Sequence, residues 1–235
     1  MSSNTVAWPP AEGLTTKLVP RTHAVLQLAH STIIHAPAPL VFDALLNVAE
    51  YAKWNTFIPS VRIVSQPPTR SPESPNNKDN ERDRTHLRLG TTMIFDAVMD
   101  ASKPTATTPS SLRIADISTP TSPSSYLSPS LLADPSFTAD LSKVYRVSWV
   151  GNGGMMYALG AVMKVQRFHE VIVRGDAECE VRTWELMGGV LAYLVKMSFG
   201  AGLQGKFVTW CEELKAWCEK VYKEGDGEGA AGGGE

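Results

Sequence analysis

The chain has 235 residues, 43% hydrophobic and 20% charged, an ordinary globular balance with length for one large domain or two small ones. Its 22 Lys and Arg against 24 Asp and Glu leave a formal net charge of −2, which gives neither the basic stripe of a nucleic-acid binder nor a polybasic membrane anchor. No apolar run approaches the roughly 20 residues that span a bilayer, so no transmembrane segment is expected. The N-terminus lacks the charged start and apolar stretch of a secretory signal, and the arginines of a good mitochondrial presequence. Cys179, Cys211 and Cys218 make an odd, sparse set. The last two lie about 10 Å apart along a predicted helix, too far for a disulfide. A reducing compartment follows, the cytoplasm foremost, with mitochondria left open.

Residues 1–22 are polar, contain prolines and have no period, which predicts a flexible lead-in to one domain over 23–223. Ala24–His35 reads as a strand. Pro37 and Pro39 then suit the first turn of a short helix, and Trp54–Pro59 a second helical turn. Val61–Val64 begins another strand. Residues 67–85 carry prolines, asparagines and charges but no apolar side chain, and read as a disordered insertion. From His86 to Met99 the alternation of Leu87, Leu89, Met93, Phe95, Ala97 and Met99 with polar residues predicts a strand buried on its odd-numbered face. Residues 111–118 form a shorter strand. The Ser/Pro-rich stretch 119–136 again reads as a disordered insertion.

Three more strands are expected over 143–150, 161–173 and 177–186, the last two joined by a turn at Arg174–Asp176. From Gly189 to Tyr222 the period becomes helical, with Leu203, Phe207, Trp210, Leu214, Trp217 and Val221 at three- and four-residue steps. Residues 224–235 form a Gly/Glu tail disordered by composition. An antiparallel sheet of this kind needs a cover for one face, and the long helix supplies it. The class is α+β.

The stretch IIHAPAPLVFDALLNVAEYAKWNTFIPSV (33–61) resembles the opening of the START/Bet v 1-like (SRPBCC) helix-grip superfamily, and RFHEVIVRGDAECEVRTWELMGGVLAYLV (167–195) resembles its closing hairpin and helix start. Its polyketide-cyclase-like and coenzyme-Q-binding-like members are the nearest in pattern. The resemblance implies a curved antiparallel sheet of six or seven strands wrapped around the C-terminal helix, two short helices after the first strand, and an internal cavity. Fold of this type does not decide between carrier, receptor and enzyme.

Burial selects a hairpin register for the last two strands in which Val173 faces Ala177 and the odd faces meet, placing Arg167 opposite Thr183 and diagonal to Glu185. Arg167, His169, Thr183 and Glu185 then form a polar cluster on an apolar face. It reads either as an anchor for a ligand's polar end or as an ion pair that lets one strand enter the core. Met93, Phe95, Tyr145, Trp149, Phe207 and Trp210 are expected between sheet and helix, as cavity lining or plain core. Gly200, Ala201, Gly202 and Gly205 suggest unfilled volume beside Leu203. The cavity mouth is expected near Trp54, Phe57 and the loop carrying Met155, Met156 and Tyr157, with glycines at 151, 153 and 154.

No nucleophile elbow, metalloprotease helix, P-loop or dinucleotide fingerprint occurs, and no close histidine pair with a matching carboxylate suggests a metal. No cofactor is expected. Three readings stay open. The first is binding or carriage of an apolar lipid, quinone or polyketide-like molecule. The second is a cyclase or dehydratase using Arg167, His169 and Glu185. The third is an interaction domain regulated through Ser71, Ser74, Ser122 or Ser128.

Overall fold

The computed structural model describes residues 7–68, 85–152 and 162–231, without the side chains of 201 and 226–231. Seven strands form one antiparallel sheet: β1 (Leu26–Ile34), β2 (Ser60–Ser65), β3 (Thr92–Val98), β4 (Thr107–Ser118), β5 (Val144–Gly151), β6 (Lys164–Gly175) and β7 (Glu178–Gly188). Their spatial order is β1-β7-β6-β5-β4-β3-β2, so the first strand returns to pair with the last. Between β1 and β2 lie α1 (Ala38–Leu46), entered through Pro37 and Pro39, and the single turn α2 (Tyr51–Trp54). A further turn, α3 (Pro129–Leu132), precedes β5, and α4 (Val190–Ala231) closes the chain.

The inner face of the sheet meets α4 through Leu203, Phe207, Trp210, Cys211, Leu214 and Cys218, all buried at the helical period. Trp217, expected on the same stripe, is only half-buried. The side chain of Gln204 bridges the free edge of β1: its amide nitrogen donates to Ala29 O (2.8 Å) and its oxygen accepts from Ala29 N (3.3 Å). An edge strand with open backbone groups is thereby covered by the helix that grips it.

Five expectations need correcting. The strand at His86 begins later, at Thr92, because Gly90 turns with φ +86° and its N–H donates to Ile114 O at 3.0 Å; Leu87 is buried in that turn and Leu89 exposed. The β6–β7 hairpin is shifted by two residues: Val173 pairs with Cys179, Arg167 with Glu185 and His169 with Thr183. Its loop is the two residues Asp176 and Ala177, and a bulge at Arg174 restores the parity that a two-residue loop would invert. The odd faces still meet.

The lead-in is not loose over its described part. Leu14, Thr15, Thr16 and Val19 are buried on the outer face of the sheet, and Trp8 packs edge-on to Trp184 at 5.8 Å. Nor is 119–136 a disordered insertion. Leu127 and Phe137 are buried with Phe168, Trp184 and Leu186 in a second apolar cluster, and Ser128 caps α3. Both segments cover a face that the strands leave apolar: β6 is buried at every position from Val165 to Ile172. Beneath them Arg146 Nε donates to Glu170 Oε1 at 2.9 Å with both side chains at most 1% exposed, and Glu170 also accepts from Thr138 N. The insertion at 67–85 falls mostly outside the described residues, whereas the tail expected to be disordered continues α4 as helix through Ala231, with only 232–235 outside the described residues.

Candidate functional site

Antiparallel register aligns one row of side chains across the inner face. Trp149 on β5 is the partner of Arg167 on β6, which is the partner of Glu185 on β7, which is the partner of Leu28 on β1. The next row brings Val147, His169, Thr183 and His30 together. Arg167 reaches from one row to the other, its Nε donating to Thr183 Oγ1 at 3.2 Å. Its guanidinium carbon lies 4.1 Å from the ring centre of Phe207, 4.9 Å from that of Trp210 and 5.5 Å from that of Trp149. A cation on aromatic faces away from water is a favourable arrangement. Arg167 Nη2 has no hydrogen-bond partner among the described residues, and the same holds for Trp149 Nε1.

The expected Arg167–Glu185 ion pair is absent as a direct contact among the described residues, although the two side chains face each other across the strands. Each still feels the other. Burial pulls the Arg167 pKa down while Glu185 opposes the shift, and burial pushes the Glu185 carboxyl up while Arg167 opposes it. His169 is fully buried between Trp149 (4.4 Å) and Trp210 (4.7 Å), with neither ring nitrogen hydrogen-bonded. Desolvation first, and Arg167 second, hold its pKa well below the usual value. It is a neutral ring in an aromatic stack.

A cavity of about 400 Å³ lies between the sheet and the first half of α4. Of the residues singled out from sequence, Phe57, Phe95, Trp149 and Phe207 line it, together with Leu203, Arg167 and Glu185. Six others do not. Trp54 packs on Trp210 at 5.8 Å, Tyr145 on Phe42 at 5.3 Å, and Met93, His169 and Thr183 are core. Gly202 is exposed: a Cβ there meets nothing within 4 Å, and it borders an adjoining recess that shares Met99, Phe199 and Leu203 with the cavity. Small residues on α4 therefore do not create the cavity. Met155, Met156 and Tyr157 lie outside the described residues.

The wall from β4, Thr108–Leu112, is not legible as a strand, because its polar Thr-Thr-Pro-Ser-Ser run reads as loop. Met187, Val195 and Phe199 were also missed; Met187 merely continues the odd face of β7 and was legible there. Among the described residues no three His, Cys, Asp or Glu side chains gather where a metal ion would sit. No helix among them is long and apolar enough to cross a membrane.

No protein-family model matches the chain. A curated protein of Penicillium oxalicum, "Oxopyrrolidines biosynthesis cluster protein O", is 29% identical over 212 residues, covering 88% of this chain and 93% of that one. Among solved structures, a hypothetical protein from Helicobacter pylori superposes with a TM-score of 0.54 at 14% identity, covering 93% of this chain and 98% of that one. A START superfamily protein from Mycobacterium smegmatis gives 0.49 at 10% identity, covering 83% and 98%. A strand, two short helices, six further strands in meander order and a long helix laid across the inner face define the architecture: the chain has the START/Bet v 1-like helix-grip fold.

Proposed function

We propose that this protein binds one apolar small molecule in the cavity between sheet and helix, and that binding rather than turnover is its role. One observation carries the reading. A space of about 400 Å³, the size of a small-ligand pocket, is walled mainly by aromatic and aliphatic side chains, and Arg167 and Glu185 are the ionisable groups among its described lining residues. Oriented binding of an apolar molecule needs a shaped apolar volume and a few fixed polar groups. The Penicillium oxalicum relative, named for an oxopyrrolidine biosynthesis cluster, supports a ligand drawn from small-molecule biosynthesis. Native mass spectrometry of the purified protein, followed by organic extraction, tests this. A co-purifying small molecule, displaced by medium-chain alcohols, is the expected result. A protein that carries none and takes up none from a panel of lipids, quinones and polyketides refutes it.

A catalytic reading is favoured by one feature, the Glu185 carboxyl. It lines the cavity, burial raises its pKa, and a cation faces it from the next strand. That is the environment of a general acid or base. His169 drops out of this version, since it does not reach the cavity. Once a substrate is known, Glu185→Gln that abolishes turnover while leaving binding intact establishes catalysis.

A further inference from the structure

We propose that the cavity receives an oxyanion: a carboxylate or enolate oxygen at one end of an otherwise apolar ligand, bound by the Arg167 guanidinium with Trp149 as second donor. This rests on the cavity being a ligand site, and it specifies the ligand's polar end. Nε of the guanidinium is satisfied by Thr183 Oγ1, while the buried Nη2 has no hydrogen-bond partner among the described residues. Arg167 is 4% exposed, and it stays protonated in proteins. A cation so placed, with donors unspent, is complemented by an acceptor that carries negative charge, because charge-assisted hydrogen bonds are the strong ones. Trp149, its register partner, lines the same cavity and carries a buried indole N–H with no acceptor among the described residues.

The two neighbouring groups that bear on this choice agree with it. Glu185 is the carboxylate among the described lining residues, and burial pushes its pKa up, which favours the neutral acid over a second negative charge beside an incoming anion. His169 has withdrawn into its stack and adds no acceptor. A ligand amine would face Arg167 and unpaired donors. An alcohol would satisfy one hydrogen bond and leave the charge uncompensated.

Three probes of equal chain length separate these cases: decanoate, 1-decanol and decylamine, titrated calorimetrically into the full-length protein at neutral pH. The expected order is decanoate tightest by about ten-fold or more over decanol, the equivalent of one charge-assisted hydrogen bond, with decylamine weakest. Arg167→Met is expected to bring decanoate down to the decanol value while decanol binding stays within about two-fold, as a purely apolar contribution requires. If that variant does not fold, Arg167→Lys keeps the charge without the fork and is expected to retain a reduced decanoate preference, and Trp149→Phe to weaken it likewise. Decanol binding as tightly as decanoate overturns the oxyanion site and leaves the cavity reading standing. Failure of all three probes to bind overturns both. A decanoate preference undiminished in Arg167→Met, or in both fallback variants, overturns the assignment to these side chains.

Discussion

The guanidinium of Arg167 lies face-on to Phe207, 4.1 Å from its ring centre, so the cation contributed by β6 is held by the helix that covers the sheet. A desolvated contact of this kind is worth about 2 kcal/mol. A double-mutant cycle between Arg167→Met and Phe207→Leu, read by urea unfolding, is expected to show a coupling of about 1–2 kcal/mol. A coupling near zero would reduce Phe207 to volume filling.

On the opposite face Arg146 and Glu170 make the buried ion pair that the inner face lacks. Removing one partner strands the other in a site closed by Phe137 and Thr138. Glu170→Gln is therefore expected to cost about 3–5 kcal/mol, and Arg146→Met with Glu170→Leu to recover much of it. Equal destabilisation by the single and the double variant would contradict this account.

The segment before β1 is expected to be structural. Deleting residues 1–22 removes Trp8 from Trp184, along with its indole bond to Ser136 O, and uncovers Leu186. Loss of a large aromatic from such a cluster costs about 3 kcal/mol or somewhat less for a half-buried ring. A lowered Tm and new binding of an apolar dye to the outer face are the expected readings, and an unchanged Tm would mean that the segment only rests there.

That outer layer marks the limit of what the sequence shows. Period-two alternation placed the odd face of β6 and β7 correctly, the order of elements gave an antiparallel sheet covered by the long helix, and the family resemblance implied the helix-grip arrangement. The same strands also carry Phe168, Ile172, Trp184 and Leu186 at even positions, which signals burial on both sides. Composition concealed what buries them: Tyr126, Leu127, Leu131, Leu132 and Phe137 are spread through a Ser/Pro-rich stretch, too sparse to show a period. The site was half legible. Residue types on one face pointed to Arg167 and Glu185, but the bulge at Arg174 that makes them direct partners is a backbone event with no pattern of its own. Whether a polar side chain opens to a cavity or is enclosed in an aromatic stack, as His169 is, depends on α4 and lies beyond strand parity.

Two buried groups set opposing slopes of stability against pH. His169 has a folded pKa well below 6.5, so as pH falls below about 6.5 the unfolded chain takes up a proton that the native state refuses, and stability drops. Glu185 has a folded pKa above 4.5, so as pH rises from 4.5 through that value the native state holds the proton longer, and stability drops again. Glu185→Gln is therefore expected to be more stable than the wild type at neutral pH, with the gain vanishing toward pH 4. His169→Phe is expected to lose less stability on acidification below about pH 6. Urea midpoints across this range check both, and a Glu185→Gln gain that persists in acid would assign the effect to packing.

Adjacent positions on α4 give the cleanest test of where the cavity lies. Leu203 is 6% exposed and lines it, whereas Gly202 points outward with nothing within 4 Å of a Cβ. Leu203→Trp adds several heavy atoms on the cavity side, where space exists to take them, so overpacking is limited to at most about 1–3 kcal/mol while the free volume shrinks. Binding of 1-decanol is expected to fall at least ten-fold, a loss of about 1.4 kcal/mol. Gly202→Trp places the same indole on the exposed side of the helix, and replacing a helical glycine also removes its backbone entropy cost of about 1 kcal/mol. Its decanol affinity is expected to match the wild type. Gly202→Trp blocking the probe while Leu203→Trp spares it would move the binding site out of the sheet–helix cavity and onto the exposed side of α4.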